Sequence, residues 1–96
     1  MAAYAIVDVE IYDIAQFLEY QKQVSPLLQA AGALYLARGG EQRVYEGEYE
    51  PRRLILVQFP SLAAMDAFYE SEGYQALQGQ RKSCCECQVL GVEGLD

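Results

Sequence analysis

The chain has 96 residues, 52% of them apolar or aromatic, and a net charge of -7 from 14 acidic and 7 basic side chains. That length holds a single domain, residues 1–96, and the apolar content excludes a disordered chain. The acidic balance repels phosphate backbones and anionic lipid, and no apolar run is long enough to span a bilayer, so neither nucleic acid nor a membrane is an expected partner.

Residues 3–11 alternate in two registers, the period of a strand. Ala5, Val7, Val9 and Ile11 make a wholly apolar face; Tyr4, Ile6, Asp8 and Glu10 make a mixed one. Asp13 is placed as an N-cap with Gln16 as its capping-box partner, and Ile14, Phe17, Leu18, Val24 and Leu28 recur at helical spacing. A helix is therefore expected over 14–31, interrupted by Pro26 and stopped by Gly32. Residues 33–38 read as a second strand, bent at Gly39-Gly40 and continued in extended form through Glu41–Glu46. A hairpin connection at 47–51 leads to a third strand, Arg53–Phe59, whose centre Leu54-Ile55-Leu56-Val57 is apolar on both faces, the mark of a strand buried on both sides. Ser61 caps a second helix carrying Leu62, Met65, Phe68 and Tyr69. Gly73 breaks it, a further helical segment spans Tyr74–Lys82, and a last strand runs from about Cys84 to Val92.

The order strand, helix, strand, strand, helix, strand specifies an α+β fold of ferredoxin-like βαββαβ topology, an antiparallel four-stranded sheet with helices on one face. Right-handed crossovers put the first and third strands at its centre. The helices can cover Val7, Val9, Ile55, Val57 and Phe59. The opposite face, with Tyr4, Ile6, Leu54, Leu56 and Leu90 beside Asp8 and Gln58, is too apolar to leave in water. A two-fold partner stacked sheet on sheet is the expected solution, which makes the molecule a homodimer and a dimeric α/β barrel.

Cysteines occur only in Cys84-Cys85-Glu86-Cys87, an odd number that makes no disulfide framework, and Met1-Ala2-Ala3-Tyr4 lacks the basic start of a leader. A reducing, cytoplasmic location follows as the expectation. With no His and no convergent set of four ligands, no metal site is expected, and the cysteines read as small core residues. No phosphate loop or dinucleotide fingerprint is present, so no cofactor is expected.

Several short strings occur in a set order: Arg38-Gly39-Gly40, Glu46-Gly47, Pro51-Arg52-Arg53, Phe59-Pro60-Ser61 and Tyr74-Gln75-Ala76-Leu77, after an opening Tyr4–Glu10, Asp13 and Tyr20. On these the chain, over about residues 2–94, resembles the bacterial family numbered thirteen-thirty among the domains of unknown function, within the dimeric α/β-barrel superfamily. The resemblance implies a homodimer of ferredoxin-like subunits and no established reaction. Relatives in that superfamily include cofactor-free monooxygenases, haem-degrading enzymes and small-molecule isomerases or lyases, with their chemistry between sheet and helices. The absence of His departs from the His-dependent members, and Phe68 stands where a Trp is expected.

The candidate chemistry rests on few side chains. Arg38, before a Gly pair, is placed to hold a carboxylate or enolate; the alternative is a structural ion pair with Glu46 or Asp8. Asp8, on the mixed face of a central strand, would have its pKa raised by desolvation unless paired, which would make it a general base; the alternative is a hydrogen-bonded rim residue at the dimer interface. Glu46 is the second acid/base candidate, or the group that orients Arg38. Arg52 and Arg53 alternate, so one reaches the cleft or the partner and the other is solvated. Tyr20, Tyr35, Tyr69 and Tyr74 can line a pocket, Tyr20 and Tyr69 foremost, although eight Tyr in so short a chain also cluster by chance. The functional expectation is a small anionic or phenolic ligand in the sheet–helix cleft, with cofactor-free catalysis of oxygenase, isomerase or lyase type open. The alternative is a non-catalytic structural or interaction homodimer.

Overall fold

In the computed structural model, which describes residues 1–95, the alternation at the N-terminus forms strand β1 (Ala3–Ile11). The Asp13 carboxylate accepts from the Gln16 N–H at 3.1 Å and starts helix α1 (Ile14–Ala30), within which Pro26 lies. Gly32, at φ 78°, then turns the chain into strand β2 (Leu34–Arg38), a left-handed conformation that a Cβ disfavours. Strand β3 (Leu54–Phe59) follows a long irregular segment. Ser61 accepts from the Ala64 N–H at 3.0 Å and caps helix α2 (Leu62–Glu70). Two short helices, α3 (Glu72–Ala76) and α4 (Gln78–Cys84), lead into strand β4 (Cys85–Glu93).

The four strands form one sheet in the order β2-β3-β1-β4, so the first and third strands are central as expected. Every pairing is antiparallel, with Val7 opposite both Ile55 and Val89. This is the ferredoxin-like α+β arrangement. One sheet face carries Ala3, Ala5, Val9, Ile55, Val57 and Phe59, all buried beneath Phe17, Val24, Leu28, Met65 and Phe68 of the helices. Register parity sends Tyr4, Ile6, Asp8, Leu54, Leu56, Gln58, Leu90 and Val92 to the other face, which no element covers. There Leu90 is 65% exposed and Leu34, at the β2 edge, 60%.

Four local expectations change. Gly73 does not break the second helix: α2 ends at Glu70, capped by Ser71, and Gly73 lies within α3. Residues 41–46 are not strand: β2 ends at Arg38, and the chain leaves the sheet edge after the Gly39 N–H bonds the Leu54 carbonyl at 3.1 Å. The irregularity expected at Gly39-Gly40 falls earlier, as a register shift between Tyr35 and Ala37. Cys84 closes α4 instead of opening the last strand, and Cys84 and Cys85 are both buried because a helix end and a strand start can each point inward.

Candidate functional site

A cleft crosses all four strands between the sheet and its helices. Tyr35, Val57, Val9 and Cys87 supply its floor, one from each strand; Tyr20, Val24, Phe68, Tyr69, Tyr74 and Arg81 descend from the helices. The space between them is about 70 Å³ and is open on one side. A water occupies ~30 Å³ of liquid and a cavity that takes up benzene ~150 Å³, so the narrow part of the cleft accepts a short chain, and a ring must extend into its open side. At the β4 end the cleft opens into a groove of about 590 Å³, bordered by Met65, Asp66, Gln78 and Gly91 and sharing Tyr69, Tyr74 and Arg81 with the cleft. At the β2 end it adjoins a hollow of about 360 Å³ lined by Ser25, Gln29 and Arg38, with Tyr35 and Val57 common to both.

Local structure explains why the aromatic side chains meet. Phe68 and Tyr69 end α2, and Ser71 immediately folds the chain back. Its hydroxyl donates to the Phe68 carbonyl at 2.7 Å and accepts from the Tyr74 N–H at 3.3 Å. The Tyr74 ring is thereby set edge-on to Tyr69, with centroids 4.9 Å apart, and 5.0 Å from Phe68. Burial, with Tyr74 and Cys87 close by, drives the Tyr20 and Tyr69 phenols well above their ordinary range, so both remain protonated donors at neutral pH. Burial likewise pushes the Cys85 thiol up to about 12, with Cys87 adding to it; the two sulfurs lie 3.8 Å apart.

Arg81 is the cation of this cleft, and no carboxylate shares its lining among the described residues. Its Nε donates to Gln78 Oε1 at 3.2 Å. The ion pairs among the described residues are Arg43–Glu41 and Arg52–Glu10, so the Arg81 guanidinium has no acidic partner. Beside it, Gln78 Nε2 is buried without a hydrogen-bond partner. Such an orphan donor is uncommon, since buried polar groups nearly always find a partner.

The structure brings Tyr20, Tyr69 and Tyr74 together in the cleft, with Tyr35. It does not bring Arg38, Asp8 and Glu46 together. Arg38 follows the β2 register shift, lies against the Tyr35 ring at 4.4 Å and lines only the outer hollow. It forms no ion pair with Asp8 or Glu46. Asp8 has the parity of Tyr4 and Ile6 and sits on the open sheet face, where the Tyr49 hydroxyl and the Arg52 N–H (2.9 Å) both donate to it. The Tyr49 hydrogen bond outweighs desolvation and holds its pKa below the usual carboxylate value, the reverse of a desolvated base. Arg52 pairs with Glu10 on that same face, away from the cleft. Glu46 is exposed in the irregular segment. Arg53, not Arg52, turns toward the helices, with its guanidinium 6.0 Å from the Phe17 ring. Sequence reasoning missed Arg81 and Gln78, which lie in a polar run that reads as a solvated helix face. The available signal was the stripe Tyr74, Leu77, Arg81, Cys84, whose 3- and 4-residue steps put Arg81 on the inward side.

Comparison with solved structures supports the fold. The chain is similar to a protein of unknown function from Rhodopseudomonas palustris (TM-score 0.79, 12% identity, covering 99% of this chain and 83% of that one). It is similar to a dimeric ferredoxin-like protein of unknown function from Jannaschia sp. CCS1 (TM-score 0.69, 18% identity, 98% and 100% covered). It is also similar to SnoaB, a cofactor-independent oxygenase from Streptomyces nogalater (TM-score 0.67, 5% identity, 99% and 94% covered). No curated protein matches it. A family model matches residues 2–95, and the chain belongs to that family, the domain of unknown function DUF1330.

Proposed function

We propose that this member of the DUF1330 family is a homodimeric small-molecule-binding protein whose sheet–helix cleft takes a small anionic or phenolic compound. The observation that carries this is the convergence of the Tyr20, Tyr69 and Tyr74 phenols with Arg81 on one apolar cleft where, among the described residues, no carboxylate lines the walls or pairs with Arg81. Apolar walls with a few convergent polar groups are the usual make-up of a ligand site. The dimer is supported by the uncovered sheet face, where Ile6, Leu54, Leu56 and Leu90 lie side by side. Covering ~400 Å² of it would contribute on the order of 10 kcal/mol before association costs. On this reading Asp8 and Arg52 belong to the dimer face and Arg38 to the rim of the cleft.

Cofactor-free turnover is the catalytic form of the proposal. A phenol or enol held beside Arg81 loses its proton more readily to water from the open groove, because the guanidinium stabilises the resulting anion. The SnoaB likeness supports only that this fold can carry such chemistry. A purely structural dimer is the second reading, favoured by the small volume of the cleft, about 70 Å³.

Ligand-observed NMR with phenol and with hexanoate separates the two. Both ligands are expected to show saturation transfer with the wild-type protein and to lose it in Val24→Phe, which fills the cleft from α1. No transfer, or transfer that Val24→Phe leaves unchanged, would overturn the binding reading.

A further inference from the structure

We propose that the ligand is a small aliphatic monocarboxylate, seated tail-first in the cleft with its carboxylate on Arg81 and Gln78 at the boundary with the groove. This rests on the cleft being a binding site and adds the ligand's class and orientation.

The side chains at that boundary form an oxyanion receptor. Arg81 borders both the cleft and the open groove. Its Nε is engaged by Gln78 Oε1 and its guanidinium lies near the Cys87 thiol, which leaves the terminal nitrogens without a carboxylate partner among the described residues. The same Gln78 side chain holds its Nε2 buried with nothing to donate to. A carboxylate at the boundary accepts from the Arg81 guanidinium, and a rotation of the Gln78 amide that uncovers Nε2 lets it donate to the same oxygen. The carboxylate then satisfies the orphan amide and gains charge-assisted hydrogen bonds.

Charge and volume set the rest of the ligand. One guanidinium neutralises one negative charge. Asp66 on the outer groove and a net charge of -7 disfavour a second. Inward of Arg81 the walls are Val9, Val24, Val57 and Phe68, with only about 70 Å³ between them. That space takes the inner carbons of an alkyl chain, the rest lying in the open part of the cleft, where a ring needs an enclosed cavity nearer ~150 Å³. The apolar end therefore goes in and the carboxylate stays at the boundary. Arg38, at the other mouth, sits over the Tyr35 ring and has no orphan donor beside it among the described residues.

Isothermal titration of the full chain with hexanoate and with its neutral isostere hexanamide tests this. Loss of a charge-assisted pair corresponds to about 10-fold or more in affinity, so wild type is expected to bind hexanoate tighter than hexanamide by at least that factor. Arg81→Gln is expected to bring the two ligands within about 2-fold of each other, because the charge that distinguishes them is gone. Gln78→Ala, a milder change, is expected to weaken hexanoate alone by about 3- to 10-fold. Equal affinities in wild type, a preference that survives Arg81→Gln, or one abolished by Arg38→Gln instead would overturn the proposal while leaving the cleft as a site. Binding of neither ligand would overturn the cleft reading itself.

Discussion

Phe68→Ala probes the packing on which the cleft depends. The Phe68 side chain is 5% exposed, and its ring centroid lies 5.5 Å from Phe59 and 5.0 Å from both Tyr69 and Tyr74. Truncating a buried Phe costs ~3–5 kcal/mol, part apolar transfer and part residual cavity. Here the new void joins an existing cleft with an open groove beside it, so water can enter and the cost falls at the lower end, about 3 kcal/mol. For a domain of this size that corresponds to a Tm drop of ~12–24 °C. Urea unfolding followed by circular dichroism, at one fixed protein concentration, measures it; Phe68→Leu, which keeps most of the volume, should lose only about 1 kcal/mol. A loss below ~1 kcal/mol for Phe68→Ala would show that the ring does not organise the Tyr69–Tyr74 wall.

Leu56→Glu places a charge on the uncovered sheet face and should convert the proposed dimer to monomer in sedimentation equilibrium; a monomeric wild type would refute the pairing. Gly32→Ala should destabilise by at least ~1–2 kcal/mol in the same urea assay, because its φ is 78° and a Cβ would stand 2.9 Å from Pro60 Cγ. Cys84 and Cys85 are buried and burial holds the Cys85 thiol near 12, so Ellman's reagent at pH 8 should reach only Cys87 in the native protein, more slowly with hexanoate bound. The buried Tyr20 and Tyr69 phenols titrate above their ordinary value of 10.0 in the folded chain, so their contribution to stability is complete below pH 10 and lost as pH rises beyond it; urea midpoints across pH 8–11 should fall only in the upper part of that range.

Strand and helix order were legible because the periods differ cleanly: 2 through residues 3–11, then helical spacing from Ile14 to Leu28. The apolarity of β1 and β3 also indicated that they are central. The segment 41–46 misled because alternating polar residues resemble an edge strand, and no local feature reveals that β3 has no residues left to pair with them. The aromatic part of the cleft was readable from helical stripes, while its cation was not. Arg38 drew attention through its Gly neighbours, yet the β2 register shift and its stacking on Tyr35 keep it at the rim. Asp8 was correctly tied to the mixed face, but its partner Tyr49 comes from 41 residues away, beyond what local pattern reports.

A crystal structure of the protein grown with hexanoate tests the central claim most directly. The carboxylate should lie within hydrogen-bond distance of Arg81 and of Gln78 Nε2, with the alkyl chain running inward past Tyr20 and Phe68. Hexanoate found only beside Arg38 or on the uncovered sheet face, with the cleft unfilled, would contradict the account.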